Sequence, residues 1–261
     1  DFFKVTLHQE RLNEPLKWKK PRRIFVCSMG DLFHEEVDDG FLCRVFDTML
    51  AAKQHIFMIL IKRPERMKNF IMRCVHGIPK NIWLGVTAEN QQRADERIPI
   101  LLQIPAAVRF VSVEPMLGPV DIYRCLRCHI CSNNGSYYNP NDEVEECPIC
   151  SSEDPSLLDW VICGGETGPG ARPVHPDWVR SLRDQCQDAG VPFFFKSWGE
   201  WGRRGETGIT LNDGPFGCWD NDEFRPGAIS SHGEHMVRVG KKKAGRILDG
   251  RTWYEMPEIK L

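Results

Sequence analysis

Six short apolar runs in the chain each end abruptly on a charged residue. In chain order, these residues are Asp31, Lys62, Glu89, Glu114, Glu166 and Lys196. Carboxylates and ammonium groups can bind an amine, a ribose hydroxyl or a carboxylate, and they can transfer protons. In folds built on parallel strands, ligands bind beyond the carboxyl ends of the strands. The pattern therefore predicts that the six charges surround one ligand site.

The pattern does not fix which of these residues would be catalytic. Lys62, Glu114 and Lys196 are the candidates for acid–base groups. Four carboxylates beside Lys62, Arg63 and Lys196 are costly to bury unless they are paired, which favours mixed ion pairs or a polar ligand. The alternative is that these are ordinary strand-end charges, solvated or paired for structural reasons.

Two Cys-x2-Cys motifs form a second candidate site. They are CHIC at Cys128 and Cys131, and CPIC at Cys147 and Cys150. Four thiolates on two such turns are the usual ligands of a structural Zn²⁺ ion, so the spacing predicts a zinc ribbon. Cys125 offers an alternative first ligand, because Cys125-x2-Cys128 has the same spacing. An iron–sulfur cluster on Cys125, Cys128, Cys131 and a distal cysteine is the rival interpretation.

The six charged residues need elements that bring them to one place. Their preceding runs are apolar at consecutive positions, which is typical of strands buried on both faces of a parallel sheet. Helical patterns follow at 41–54 and at 177–190, whereas Pro99 predicts a break in the helix before the fourth strand. The charges are 25 to 31 residues apart, except for 52 residues between Glu114 and Glu166. The cysteine motifs lie in that longer interval and therefore form an insertion between two strands.

These elements predict an α/β fold, a partial (β/α) TIM-like parallel barrel with a zinc-ribbon insertion. The barrel comprises residues 1–122 and 157–201, the insertion 123–156, and an irregular or hairpin extension 202–261 with a turn at Asp249 and Gly250. Six strands do not close an eight-stranded barrel. We therefore expect that an amino-terminal βα unit is missing, upstream of Asp1.

Composition narrows the classes of function. The 261 residues carry a formal net charge of −2, so bulk charge predicts neither a nucleic acid nor an acidic partner. No apolar run reaches the length of a membrane span, and the clustered cysteines favour a reducing compartment over a disulfide framework. We expect a cytoplasmic protein. The basic run 17–23 precedes the first strand and should be solvated at the opposite edge, while Trp198 and Trp201 are candidates for stacking on a base.

Several sequence blocks resemble a known family. The blocks RRIFVCSMGDLFHEEV, MILIKRPERM, NIWLGVTAEN, RFVSVEPMLGPV and VPFFFKSWGEW resemble the phage gene-product-37-like proteins, also called three-Cys-motif proteins. That family is similar in outline to radical S-adenosylmethionine (SAM) enzymes, which hold a [4Fe-4S] cluster beside a partial barrel. The resemblance covers nearly the whole chain except the insertion.

The resemblance implies roles for particular residues. Ser28, Met29, Gly30 and Asp31 would contact the amino group of SAM, Gly164, Gly165 and Glu166 would lie near its adenine, and Glu89 would help to orient it. The chain contains no Cys-x3-Cys-x2-Cys motif, so SAM and a cluster are expected only with an upstream segment. The implied function is a radical-SAM-like enzyme of phage or prophage origin, acting on a nucleic acid or nucleotide. The alternative is a non-catalytic zinc-ribbon module that docks a nucleic acid or a protein.

Overall fold

A computed structural model describes residues 4–27, 30–75, 77–128, 136–139, 141–147 and 157–258. Its α-helices are α1 (Glu14–Lys17), α2 (Asp39–Ala51), α3 (Pro64–Cys74), α4 (Gln91–Leu101), α5 (Tyr123–Leu126), α6 (Pro176–Ala189) and α7 (Lys241–Ala244). Its strands are β1 (Arg23–Val26), β2 (Ile56–Ile61), β3 (Ile82–Thr87), β4 (Arg109–Val113), β5 (Ser136–Tyr138), β6 (Val144–Glu146), β7 (Trp160–Gly164), β8 (Phe193–Ser197), β9 (Trp201–Arg203), β10 (Phe216–Asp220), β11 (Glu223–Pro226), β12 (Glu234–Arg238), β13 (Ile247–Leu248) and β14 (Arg251–Thr252).

A curled parallel sheet of six strands forms a half-barrel. The strands lie in the order β1-β2-β3-β4-β7-β8, which is also their order along the chain, and every neighbouring pair is parallel. β5 and β6 lie outside this sheet, in the segment between β4 and β7. The prediction of a partial parallel barrel is therefore confirmed, and the small sheet of β5 and β6 falls within the segment predicted to be an insertion.

The two faces of the sheet bury different side chains because strand residues alternate between faces. The outward face packs against α2, α3, α4 and α6 through residues such as Ile59, Leu84 and Val111. The inward face holds a separate cluster, composed of Met58, Trp83, Val108, Phe110, Trp160 and Ile162. Both faces of β3, β4 and β7 are thus buried, as the continuous apolar runs predicted, whereas β1 at the edge of the sheet is at most partly buried.

Helix ends follow the local sequence. The Asp38 and Asn90 side chains accept hydrogen bonds from backbone N–H groups at the starts of α2 and α4, and α6 ends at Gly190 in the left-handed conformation. Pro99 does not break this helix, since α4 continues through it and ends at Leu101 as a short helix of 11 residues. Pro99 lies near the end of the helix, where the loss of one backbone donor disturbs little of the hydrogen-bond ladder.

The C-terminal residues are more ordered than the predicted irregular extension. An antiparallel sheet in the order β11-β10-β12-β9 follows the half-barrel, and β13 and β14 form the hairpin predicted at Asp249 and Gly250. The tail then returns to β8, where the Phe195 N–H donates to the carbonyl of Trp253. The short strands of this sheet lack the long apolar runs that made the parallel strands recognisable. No helix in the described part of the chain is both long and apolar enough to span a membrane.

Candidate active site

The concave face of the half-barrel is layered from its centre toward the carboxyl ends of the strands. Trp83, Phe110 and Trp160 form a buried aromatic layer, with Phe110 packed where a Cβ on Gly85 would collide with it. The next row runs across four paired strands through Thr87, Ser112, Ile162 and Phe194. Two residues further along the same strands come Glu89, Glu114, Gly164 and Lys196. We call this outermost row, with Asp31 and Lys62, the carboxyl edge.

Asp31 connects the first two strand ends. Its carboxylate accepts a hydrogen bond from the backbone N–H of Lys62 at 3.2 Å and forms an ion pair with Arg63 at 2.8 Å. It also accepts from the N–H of Phe33 at 2.9 Å, which fixes the turn after β1. The neighbouring residues Ser28 and Met29, predicted to contact a ligand, lie outside the described residues.

Glu89 lies between two cations. Lys62 Nζ is 3.4 Å from one carboxylate oxygen, and Arg97 of α4 donates to the other at 2.9 Å. Burial acts to raise the pKa of Glu89, but its hydrogen bonds and the charges of Arg97 and Lys62 outweigh this effect and lower the pKa below its ordinary value. Glu89 is therefore ionised at neutral pH and available to a cationic group.

Glu114 and Lys196 form the second lysine–carboxylate pair of the carboxyl edge. Their oxygen and nitrogen atoms are 2.8 Å apart. Gly164 lies directly between them, since a Cβ at this position would be 3.2 Å from the Glu114 carboxyl carbon and 3.5 Å from the Cβ of Lys196. A larger residue would push the pair apart, so the glycine keeps both side chains on the concave face.

The carboxylates of both pairs are more buried than the lysines. The Glu89 and Glu114 side chains are 16% and 21% exposed, whereas those of Lys62 and Lys196 are 56% and 49% exposed. Each lysine has one carboxylate contact and room to move away from it. A ligand with its own carboxylate and ammonium groups can replace the two partners of such a pair, so this arrangement suits a zwitterion.

Glu166 has a different environment. Arg172 binds its carboxylate with two side-chain nitrogens at 2.8 Å and with its backbone N–H. The hydrogen bonds from Arg172 lower the pKa of Glu166. This pair closes the glycine-rich loop 164–172, so Glu166 holds the loop and does not join the lysine–carboxylate pairs.

Two glycines bring the loop backbones together beside Glu166. A Cβ on Gly165 would be 2.1 Å from the carbonyl oxygen of Trp198, and Gly199 combines a φ of 79° with an equally close approach to the carbonyl oxygen of Glu166. No side chain fits at either position. The backbones after β7 and β8 are therefore held in contact at the carboxyl edge.

A cavity of about 760 Å³ lies beside β1 and reaches the carboxyl edge. Its walls come from the segment 4–18, from β1 and from α2, and they include Cys27, Gly30 and Asp31. Burial, together with the charge of Asp31, raises the pKa of the Cys27 thiol. The volume is within the range typical of small-molecule sites.

Sequence reasoning missed two cations of this site. Arg97 lies on α4 and Arg172 follows the glycine-rich loop, so neither ends an apolar run. Arg97 also donates to the Thr87 carbonyl at 2.7 Å. The sequence did contain a signal for Arg97. This residue follows Asn90, the cap of α4, by two helical turns, so the two lie on the same face of the helix.

Other predicted residues have structural positions. Trp198 is buried in the core and donates its indole N–H to the carbonyl of Ile247, so it is not free to stack on a base. Trp201 is half-buried and donates to the carbonyl of Ala171. His175 accepts the Asp177 N–H and caps α6.

The insertion brings two of its cysteines together. The Sγ atoms of Cys128 and Cys147 are 3.5 Å apart and buried, while Cys131 and Cys150 lie outside the described residues. Cys125 packs against the barrel core instead of joining this pair. Within the described residues, no group of three or more potential metal-ligating side chains occurs.

Comparison with known proteins gives one match. No curated protein and no solved structure matches the chain. One family model matches residues 2–257 and is described as a protein of unknown function, DUF5131. The chain therefore belongs to the DUF5131 family.

Proposed function

We propose that the carboxyl edge binds SAM and that the protein is a radical-SAM-like enzyme. The observation that carries this proposal is the pair of half-exposed lysines, Lys62 and Lys196, each set against a more buried carboxylate. The amino acid part of SAM is a zwitterion that carries a further positive charge on sulfur. Its carboxylate suits Lys196 or Lys62, and its ammonium and sulfonium charges suit Glu114, Glu89 and Asp31.

The layers beneath the carboxyl edge also support this proposal. Thr87, Ser112 and Ile162 are buried directly beneath it, and the partly exposed ring of Phe194 offers apolar surface on which an adenine or a substrate can rest. When bound, SAM supplies a 5′-deoxyadenosyl radical if an iron–sulfur cluster reduces it.

The described residues do not by themselves fit a [4Fe-4S] cluster. Such a cluster needs three or four closely placed cysteine thiolates, and Cys27 is the one described cysteine in the wall of the cavity beside β1. Cluster ligands would therefore have to come from residues other than those described. We also propose a phage or prophage origin for the protein, because the sequence resemblance implies one.

The SAM proposal can be tested by calorimetric titration of the protein with SAM. Lys196→Met and Glu114→Gln should each weaken binding about tenfold, since each removes one charged contact. Lys53→Met is the matched control, because Lys53 is exposed at the amino ends of the strands and should leave binding unchanged. Absence of SAM binding, or equal affinities for Lys196→Met and Lys53→Met, would overturn the proposal.

The radical step needs a separate test. Protein reconstituted anaerobically with iron and sulfide, then reduced in the presence of SAM, should release 5′-deoxyadenosine. SAM binding without this product would remove the radical assignment and leave a SAM-binding protein.

We also propose that the insertion holds a structural Zn²⁺ ion. Two thiolates bound to one tetrahedral Zn²⁺ at about 2.3 Å lie roughly 3.8 Å apart. The 3.5 Å between Cys128 and Cys147 is close to this value and much longer than a disulfide bond. The position of Cys125 in the barrel core favours Cys131 as the other ligand of the first motif, with Cys150 completing the site.

Metal analysis of the purified protein tests this second proposal. The protein should contain one equivalent of zinc, Cys147→Ser should lose most of it, and Cys125→Ser should keep it. Zinc content unaffected by Cys147→Ser would exclude the site, and loss on Cys125→Ser would change its ligands.

The alternative function, a non-catalytic zinc-ribbon module, has less support at the insertion. Residues 128–156 include six acidic residues and no Lys or Arg. This charge does not suit docking of a nucleic acid at the ribbon.

A further inference from the structure

Four basic residues lie close together in sequence beside the carboxyl edge. They are Arg238, Lys241, Lys242 and Arg246, and we call them the rim cations. Lys241 and Lys242 are in the short helix α7, and Arg246 follows it. Both lysines and Arg246 are exposed, and Arg238 is partly exposed.

Backbone hydrogen bonds attach the segment 238–246 to the turn that follows β8. The N–H groups of Val239 and Gly240 donate to the carbonyl of Glu200 at 3.0 and 3.1 Å, and the N–H of Trp198 donates to the carbonyl of Gly245 at 3.0 Å. Trp198 lies only two residues after Lys196 of the carboxyl edge. The rim cations are therefore held next to the candidate active site.

Arg238 places the same segment against the glycine-rich loop. Its guanidinium donates to the carbonyl of Gly168 at 3.2 Å, and the Gly168 N–H donates to Glu200 at 3.1 Å. The loop that begins at Gly164, between Glu114 and Lys196, thus has the rim cations on its outer side.

The rim cations differ from their neighbour Lys243 in their ion pairs. Within the described part of the chain, none of the four forms an ion pair with a carboxylate, whereas the adjacent Lys243 is paired with Asp213. The whole protein has a formal net charge of −2 and most of its arginines are paired. Lys17, Lys19 and Lys20 at the amino ends of the strands are also exposed and form no ion pair among the described residues, so it is the position of the rim cations beside the candidate active site that indicates an anionic ligand there.

We infer that the rim cations bind the phosphate backbone of a single-stranded nucleic acid whose base enters the concave face. This inference rests on the proposed function, because the base would be the substrate modified at the SAM site. An enzyme that modifies a base must take it out of the stack and give it an apolar surface, and the partly exposed ring of Phe194 offers such a surface.

The opposite edge of the sheet provides a matched control. Lys17, Lys19 and Lys20 are exposed like the rim lysines, but they precede β1 and lie at the amino ends of the strands. Loss of three positive charges there changes the net charge of the protein as much as loss of three rim cations. The two triple variants therefore separate a local site from a general effect of charge.

The test is fluorescence anisotropy with labelled 20-nucleotide single-stranded RNA and DNA of mixed sequence, at several salt concentrations. The variant K241A/K242A/R246A should bind at least one of them about tenfold more weakly than the wild type. Its slope of log affinity against log salt should fall by about 2, since each lost phosphate contact removes roughly 0.7 for a single strand. K17A/K19A/K20A should bind within about twofold of the wild type, and the melting temperatures of both variants establish that they are folded.

The outcomes distinguish this inference from the proposed function. Equal loss of binding in the two triple variants, no nucleic-acid binding by the wild type, or equally tight binding of polyglutamate would overturn the inference, even if SAM binds. If nucleic-acid binding requires the rim cations but the protein does not bind SAM, the inference is supported and the proposed function is overturned.

Discussion

Two groups of ion pairs in this protein use the same charges in different ways. At the carboxyl edge, Lys62 and Lys196 each contact one carboxylate, and both lysines are half-exposed. Between α6 and the C-terminal sheet, Arg180 alone contacts three carboxylates, those of Asp177, Glu234 and Asp249. We call this second group the arginine cluster, and it also includes Arg183, Arg203 and Glu206.

The number of contacts for each cation separates the two groups. A planar guanidinium that bridges several elements fixes their positions, and few ligands can replace all its partners at once. A lysine with a single partner keeps its mobility and exchanges that partner at little cost. The arginine cluster therefore joins the C-terminal sheet to the half-barrel, whereas the carboxyl-edge pairs remain open to a ligand.

Removal of Arg180 should have the largest effect on stability. Burial disfavours its charge, but the hydrogen bonds with Asp249, Glu234 and Asp177 outweigh this and raise its pKa further. Arg180→Met leaves the partly buried carboxylates of Glu234 and Asp249, and the exposed one of Asp177, without this partner, so we expect a loss of about 2–4 kcal/mol in the free energy of unfolding. Urea denaturation followed by circular dichroism measures this loss.

The control for Arg180 is an exposed pair of the same chemistry. Arg93 and Glu96 are 2.6 Å apart on the surface of α4, and Arg93→Met should cost less than about 0.5 kcal/mol. Similar losses for Arg93→Met and Arg180→Met would show that the arginine cluster has no special structural role.

The Glu114–Lys196 pair should contribute much less to stability. In a double-mutant cycle with Glu114→Gln and Lys196→Met, we expect a coupling energy below about 1 kcal/mol, because Lys196 is half-exposed. The same variants should change ligand affinity clearly. A coupling energy of several kcal/mol would make this pair structural, which is the ordinary alternative for strand-end charges.

The sequence predicted the half-barrel because its signal is local. Each run such as IFMILI or WVICG is apolar on both faces, and its final charge marks the carboxyl end of the strand. The pairing partners of those charges were less accessible. Arg97 and Arg172 come from other elements, and their contacts with Glu89 and Glu166 depend on how helices and loops pack against the sheet.

The C-terminal sheet was harder to recognise for a physical reason. Its strands β9 to β12 are three to five residues long and contain glycines, such as Gly202 and Gly217, that accept close packing in place of a side chain. Such strands have no long periodic pattern. The arginine cluster joins α6 to residues 50 to 70 positions later, a separation that no local pattern reports.

The smallest expected effect on stability is at Glu206. This residue tests whether the arginine cluster contains more carboxylates than its arginines can pair. One oxygen of its side chain accepts from Arg203 at 3.1 Å, but the other is buried without a hydrogen-bond partner in the described structure. Burial raises the pKa of Glu206 above its ordinary value of 4.5. Since the folded pKa exceeds the unfolded one, the contribution of this carboxyl to stability is complete below about pH 4.5 and is lost as the pH rises through the folded pKa.

Glu206→Gln removes this titration while keeping the shape of the side chain. The variant should match the wild type near pH 4 and be more stable by less than about 1 kcal/mol at pH 7.5, as measured by urea unfolding at both pH values. Glu35→Gln, at an exposed position, should change stability equally at the two pH values. If the variant is less stable than the wild type at pH 7.5, ionised Glu206 stabilises the Arg203 cation. The arginine cluster then has no surplus of carboxylates.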